Sequence, residues 1–139
     1  MTIELVGLAT MTAELRPPLV LSGTPAGDRM IFEVESGRLE GDRIRATLKG
    51  QASADWLTVG PDGTGALDVR ALVETDDGAL VFIQYNGRVD VSRRNAAPVY
   101  SAPRFETGDD RYRWLNRVQA VGKGTFDGRT LRYELYEVR

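Results

Sequence analysis

Residues 67–91 read LDVRALVETDDGALVFIQYNGRVDV. In the first half, Asp68, Arg70, Leu72 and Glu74 alternate with Leu67, Val69, Ala71 and Val73, the period of two that marks a strand. Thr75-Asp76-Asp77-Gly78 is a turn, because an Asp-Gly pair takes positive φ at little cost. Ala79-Leu80-Val81-Phe82-Ile83-Gln84-Tyr85 is β-branched and aromatic and makes a second strand. The stretch predicts a β-hairpin whose second arm runs through Gly87 to about Ser92. Its first arm sets an acid, Asp68, and a base, Arg70, side by side on one face.

The flanking sequence repeats this pattern. Thr2 to Glu14 reads as a strand with Ile3, Leu5, Gly7, Ala9 and Met11 on one face, ended by Pro17-Pro18. A loop with one short edge strand reaches Gly27. Arg29 to Ser36 and Ile44 to Leu48 alternate apolar with polar residues, and the intervening Gly37 to Asp42 is turn-like. Gly50 to Trp56 leads to a second turn at Pro61-Asp62-Gly63. After the hairpin come short extended pieces at Val99-Tyr100 and Pro103 to Thr107. Asp109 to Asn116 is the one place that fits a helical turn. Val118 to Phe126 is a strand whose Gly122 and Gly124 suggest a bulge or a tight bend, not a phosphate loop, since no helix follows. Asp127-Gly128-Arg129 turns the chain into the last strand, Leu131 to Val138. So many short strands with almost no helix predict a sandwich or a barrel. Alternation with one polar and one apolar side favours an all-β fold: a single closed antiparallel β-barrel of about eight strands, one domain over residues 1–139.

Composition narrows the chemistry. The 139 residues contain 42% hydrophobic and 27% charged side chains, enough apolar material for one core. The formal net charge is −2, so neither nucleic acid nor an anionic membrane surface is expected as a partner. No apolar run reaches membrane-spanning length and the first residues do not follow the plan of a secretion signal, so a cytoplasmic location is the expectation. There is no histidine and no cysteine. Thiolate chemistry, an imidazole acid or base, and His- or Cys-held transition metals are thereby excluded. No metal and no cofactor is expected, and any proton transfer falls to Asp, Glu, Tyr, Lys or Arg.

Several residues are candidates for it, each beside a plainer alternative. Asp68 and Arg70 are either a catalytic lumen pair or an ion pair on a solvated face. Glu106, between Phe105 and Thr107, is the preferred general base, or an exposed edge-strand glutamate. Asp55 and Trp56 offer a carboxylate beside a flat apolar surface for ligand binding, or Trp56 plugs one barrel end. Tyr112, Trp114 and Asn116 line a pocket mouth if extended, or pack as an aromatic lid. Tyr85 offers a lumen hydroxyl or sits on the outer girdle. Burial cost orders these. A charge pair beside a polar ligand is tolerable inside, so the Asp68/Arg70 face is expected to point into the lumen, with Asp55, Glu106 and Tyr112 converging near one end.

An ordered set of pieces resembles a known family. They are Gly50 to Trp56 ending in Asp-Trp, Leu67-Asp68-Val69-Arg70, Thr75-Asp76-Asp77-Gly78-Ala79 and Tyr85-Asn86-Gly87-Arg88. Phe105-Glu106-Thr107, Tyr112-Arg113-Trp114-Leu115-Asn116, a Val-Gly-Lys-Gly strand and a Tyr-Glu-Val tail complete it. Together they resemble the bacterial and fungal family called domain of unknown function 3237. The resemblance implies a small barrel like those of allene oxide cyclase and dirigent proteins, with a ligand-holding lumen and frequent oligomerisation. Some fungal relatives look like cofactor-free cyclases. One departure is Glu35-Ser36-Gly37, where the family pattern has Gly-Gly.

Two functions remain open on these residues. One is a cofactor-independent isomerase or cyclase of a small carbonyl or phenolic compound, with a carboxylate moving the proton and Tyr or Arg stabilising an oxyanion. The other is a non-catalytic barrel that binds or carries a small molecule in the same lumen. A homodimer or higher homo-oligomer is expected for either.

Overall fold

The computed structural model describes all 139 residues. Eleven strands follow in order: β1 (Leu5–Leu15), β2 (Leu19–Thr24), β3 (Gly27–Glu40), β4 (Arg45–Leu48), β5 (Ala54–Val59), β6 (Thr64–Thr75), β7 (Leu80–Asp90), β8 (Val99–Ser101), β9 (Arg104–Glu106), β10 (Ala120–Phe126) and β11 (Thr130–Val138). Two 3-10 turns, Val91–Ala96 and Asp110–Arg117, are the only helical pieces. All ladders are antiparallel, and they close: β1 to β3, β3 to β5 and β4, both of these to β6, then β7, β8, β10, β11 and back to β1. β4 and β5 share one position, each covering half of β3 and of β6, so the barrel has eight staves. β8 and β9 likewise cover successive halves of β7. β2 continues the line of β1 beyond Pro17-Pro18 and pairs with β3 alone, leaving Leu19, Val20 and Leu21 exposed on a free edge.

Two bulges decide which side chains enter. In the β1–β11 ladder the register steps between Gly7 and Ala9, so Leu8 is an extra residue. Leu8 is buried, while Ile3 and Leu5, expected to share a face with the buried Ala9, are exposed. In the β1–β3 ladder Glu14 faces Ser36 but Leu15 faces Val34, which makes Glu35 the extra residue. A bulge reverses the side-chain parity of a strand. Phe32 enters from the even positions before it, and Leu39 from the odd positions after it. Gly37 to Glu40, expected as a turn, therefore stays in β3 and pairs with both β1 and β4. The Glu35 carboxylate, turned outward, accepts a hydrogen bond from Arg129 at 2.9 Å.

The two ends are closed by different means. The Val91 N–H donates to the Gly63 carbonyl, which seats the first 3-10 turn over the end where β6 begins. The Tyr112 hydroxyl donates to Asp77 at 2.8 Å, which holds the second turn at the other end, beside the β6–β7 turn. Leu115 of that second turn is wholly buried and plugs it. Between the ends, 23 buried residues form one core cluster, including Leu39, Val81, Ile83 and Leu135.

Leu39 is 1% exposed, on the segment whose pattern reads as a turn. Leu39→Ala is expected to cost about 2–5 kcal/mol in a urea titration, the range for a core leucine. A loss below about 0.5 kcal/mol, as for a surface turn, would contradict the parity switch at Glu35.

Candidate functional site

The ladders bring one carboxylate inside. Phe32 faces Asp55 across β3 and β5, Asp55 faces Val69 across β5 and β6, and Val69 faces Tyr85 across β6 and β7. Directly opposed residues point to the same side of a sheet. Phe32, Val69 and Tyr85 are buried core residues, so Asp55 projects into the lumen with them. One Asp55 oxygen accepts the Asp68 N–H at 3.0 Å, which anchors the carboxylate at mid-barrel. Between it and the first 3-10 turn lies a cavity of about 170 Å³. Ten of its 13 lining residues are hydrophobic, among them Met30, Phe32, Leu57, Val99 and Phe126, with Arg94 and Asn95 at the mouth. A smaller chamber of about 50 Å³ lies on the other side, lined by Asp55, Tyr85 and Ile83 among others. Asp55 borders both.

The surroundings set its proton affinity. Loss of water raises the Asp55 pKa to about 6, the Asp68 N–H bond opposes the rise, and the nearby Asp68 charge adds to it. A carboxyl near 6 can hold or release a proton close to neutral pH, as an acid–base catalyst must. Two phenols stand near it. The Tyr85 and Tyr133 rings meet edge to face, with centroids 5.8 Å apart. Burial pushes both phenols above their usual range, and the Asp55 charge pushes the same way. The Tyr133 and Ser101 hydroxyls are buried without a hydrogen-bond partner. Glycine makes room for this group. A Cβ at Gly124 would lie 2.6 Å from the Tyr133 ring, and one at Gly122 would lie 2.6 Å from the Ser101 hydroxyl. The β10–β11 register is continuous through both, so of the bulge or tight bend expected there the bulge is absent, and these glycines give clearance to side chains.

The Asp68/Arg70 face is outside, which corrects the expectation that it points inward. Leu67, Val69 and Val73 are buried, and Asp68 and Arg70 are exposed. Burying the apolar set together with Val81, Ile83 and Tyr85 outweighs any use of the charged pair inside. The expected convergence of Asp55, Glu106 and Tyr112 also does not occur. Glu106 lies outside on β9, where only Phe105 turns inward. Tyr112, Trp114 and Asn116 sit on the second 3-10 turn, at the end away from the larger cavity. Tyr112 is bonded to Asp77, Arg43 stacks on Trp114 at 4.4 Å, and Asn116 clamps the Thr107 backbone. Trp56 is 48% exposed on the outer wall and plugs nothing. Of the sequence candidates, the lumen holds Asp55 and Tyr85, and it adds Tyr133, Ser101 and Arg94. A signal for Asp55 was present, since Asp55, Leu57 and Val59 share one face of β5.

Folded Asp55 keeps its proton up to about pH 6, whereas an unfolded aspartate loses it near about 3.9. Below about pH 4 its preference for the folded state is fully present; as pH rises through 6 the unfolded chain ionises first and stability falls. Asp55→Asn, which can still accept the Asp68 N–H, is therefore expected to match the parent near pH 4 and to exceed it near pH 8 by up to about 3 kcal/mol in denaturant titrations. An equal effect at both values would rule out a buried, proton-holding Asp55. Tyr133→Phe removes an unpaired hydroxyl and is expected to leave the melting temperature unchanged or to stabilise by about 1 kcal/mol. A clear fall would mean that the hydroxyl has a partner.

Similarity to other proteins extends over the whole barrel. UPF0311 protein RPA1785 of Rhodopseudomonas palustris is 28% identical over 134 residues, 87% of each chain. The crystal structure of a β-barrel-like protein, ABAYE2633, from Acinetobacter baumannii AYE superposes with a TM-score of 0.88 at 28% identity, covering 100% of this chain and 98% of that one. The hydroalkoxylation enzyme phnH of Penicillium herquei is 28% identical over 106 residues, 76% of this chain and 64% of that protein. The model for "Protein of unknown function (DUF3237)" matches residues 3–138, and with that span the chain belongs to the DUF3237 family.

Proposed function

We propose that the lumen takes up a small, largely apolar carbonyl or phenolic compound and that Asp55 exchanges a proton with it, making the protein a cofactor-independent cyclase or isomerase. The observation that carries this reading is a single carboxylate set in the wall of a largely apolar cavity whose other polar lining residues, Arg94 and Asn95, lie at its mouth. An eight-stranded barrel leaves an interior just wide enough to be filled by side chains or to hold one small ligand. Charge inside it is costly, and a wall built only for packing would have leucine at position 55. Exclusion of water would also strengthen every interaction with a developing charge.

The similarity to phnH supports a ring-closing reaction of the hydroalkoxylation type. In such a step an O–H adds across a C=C bond: one alkene carbon takes a proton, the other bonds to the oxygen, and the hydroxyl proton is released. Protonated Asp55 would deliver the first proton, and its conjugate base would recover the second, so the acid is regenerated. Tyr85, which borders the smaller chamber beside Asp55 and is kept neutral by burial, would act as a hydrogen-bond donor to an oxygen of the substrate. The second reading, a non-catalytic carrier, needs the same cavity without turnover.

A direct test uses 2-allylphenol in heavy water, followed by mass spectrometry and NMR. Wild-type protein is expected to give 2-methyl-2,3-dihydrobenzofuran carrying one deuterium on its methyl group. The rate should fall as pH rises through about 6, where Asp55 loses its proton. Asp55→Asn should retain binding, seen as shifts of lumen resonances, and lose at least about 100-fold in rate, the usual worth of a positioned acid. Binding without conversion favours the carrier. Absence of lumen shifts overturns both readings.

A further inference from the structure

We infer that Arg94, at the mouth of the lumen, reads a carboxylate on the ligand, so that the bound molecule is an amphipathic acid with its apolar body inside and its anionic end under the first 3-10 turn. The inference rests on the lumen reading above and names the class of its ligand.

Arg94 is the only residue of positive charge lining the larger cavity, and its guanidinium, unlike its carbonyl, which accepts the Ala97 N–H, has no ion-pair or hydrogen-bond partner. Its position is built into the fold. Asp90 caps the turn by accepting the Ser92 N–H at 3.0 Å, and Val91 is tied to Gly63 on one side. Asn95 donates to the Asp127 carbonyl on the other side, so the turn is fastened to both walls. Within it, Arg94 has φ 54° and ψ −131°, and it is the one non-glycine residue of the chain at positive φ. An arginine held there carries backbone strain that a glycine would avoid. The neighbouring Arg93 differs in every respect: it donates to the Ala96 carbonyl within the turn and does not border the cavity.

The opposite poles of the cavity then have distinct tasks. A guanidinium offers two parallel N–H groups that match the two oxygens of a carboxylate. With that end fixed at Arg94, the apolar body extends past Phe32 and Leu57 towards Asp55. The two charges do not compete for one group. The ligand's acid is held at the solvent side, where an anion is cheap, and its reacting atom lies at the dry side, where Asp55 exchanges its proton.

Binding of 3-phenylpropanoate and of its neutral isostere 3-phenylpropanamide, measured by NMR titration at low salt and neutral pH, tests the assignment. Wild-type protein is expected to prefer the acid by about tenfold, in keeping with a charge-assisted hydrogen bond at a partly exposed site. Arg94→Gln should abolish that preference while leaving the amide's affinity as it was. Arg94→Lys should restore part of it, and Arg93→Gln should keep it whole. Equal preference in wild type and Arg94→Gln would overturn the role of Arg94 and leave the lumen reading standing. Failure of both compounds to shift the lumen resonances would overturn the lumen reading itself.

Discussion

Between Thr64 and Glu74 every residue of β6 has a partner in β7, and the Asp76-Asp77-Gly78 turn holds the two strands in that register. Gly78 sits at φ +95°, a conformation the turn requires and a side chain would resist. No other ladder is so long or so regular. A slip of one residue would set the two apolar faces on opposite sides of the sheet: with Leu67, Val69 and Val73 still inside, Val81, Ile83 and Tyr85 would point out. The register therefore settles what the rest of the barrel packs against. The neighbouring ladders inherit its parity: Val69 inward requires Asp55 inward, and Asp55 inward requires its opposite neighbour, Phe32.

That chain of pairings forces a carboxylate into an apolar interior. The molecule lowers the cost in two ways. A backbone N–H from Asp68 satisfies one oxygen, and the raised pKa lets the group take up a proton when no polar partner is present. The nearby hydroxyls of Tyr133 and Ser101 are left without partners, and Gly122 and Gly124 give up side chains to make room for them. Polar groups that weaken a core mark a place where packing was not the only requirement. The outer surface shows the opposite economy. Arg38 with Asp76 and Glu40, and Arg111 with Asp109 and Asp77, form ion pairs in water, where each is worth little.

The strands and turns were largely legible. Period-two alternation and Asp-Gly turns marked the central hairpin, the closing hairpin at Asp127-Gly128 and the all-β class. The site was much less so. Asp68 and Arg70 drew attention because they are adjacent on one face, and Glu106 because apolar residues flank it. Both observations concern neighbours along a strand. Whether a face is inside depends on neighbours across strands, and there the apolar face of β6 had the stronger claim. Asp55 was noticed for its proximity to Trp56, although the two point to opposite sides of the wall.

The sequence by itself determined the period, the turns, and the absence of imidazole and thiol chemistry. These are local properties, set by steric preference and residue chemistry within a few positions. Only the tertiary structure decided the rest. Leu8 and Glu35 became bulges because closing the barrel required one extra residue in β1 and one in β3, and nothing in their own neighbourhoods marks them. Those two steps carried Leu39 inward and turned Ile3 and Leu5 out. Closure also brought Asp55 to the boundary of two chambers, the larger reaching Arg94 and the smaller bordered by Tyr85. Burial is a property of the closed sheet, and a pKa near 6 exists only once the wall has shut out the water.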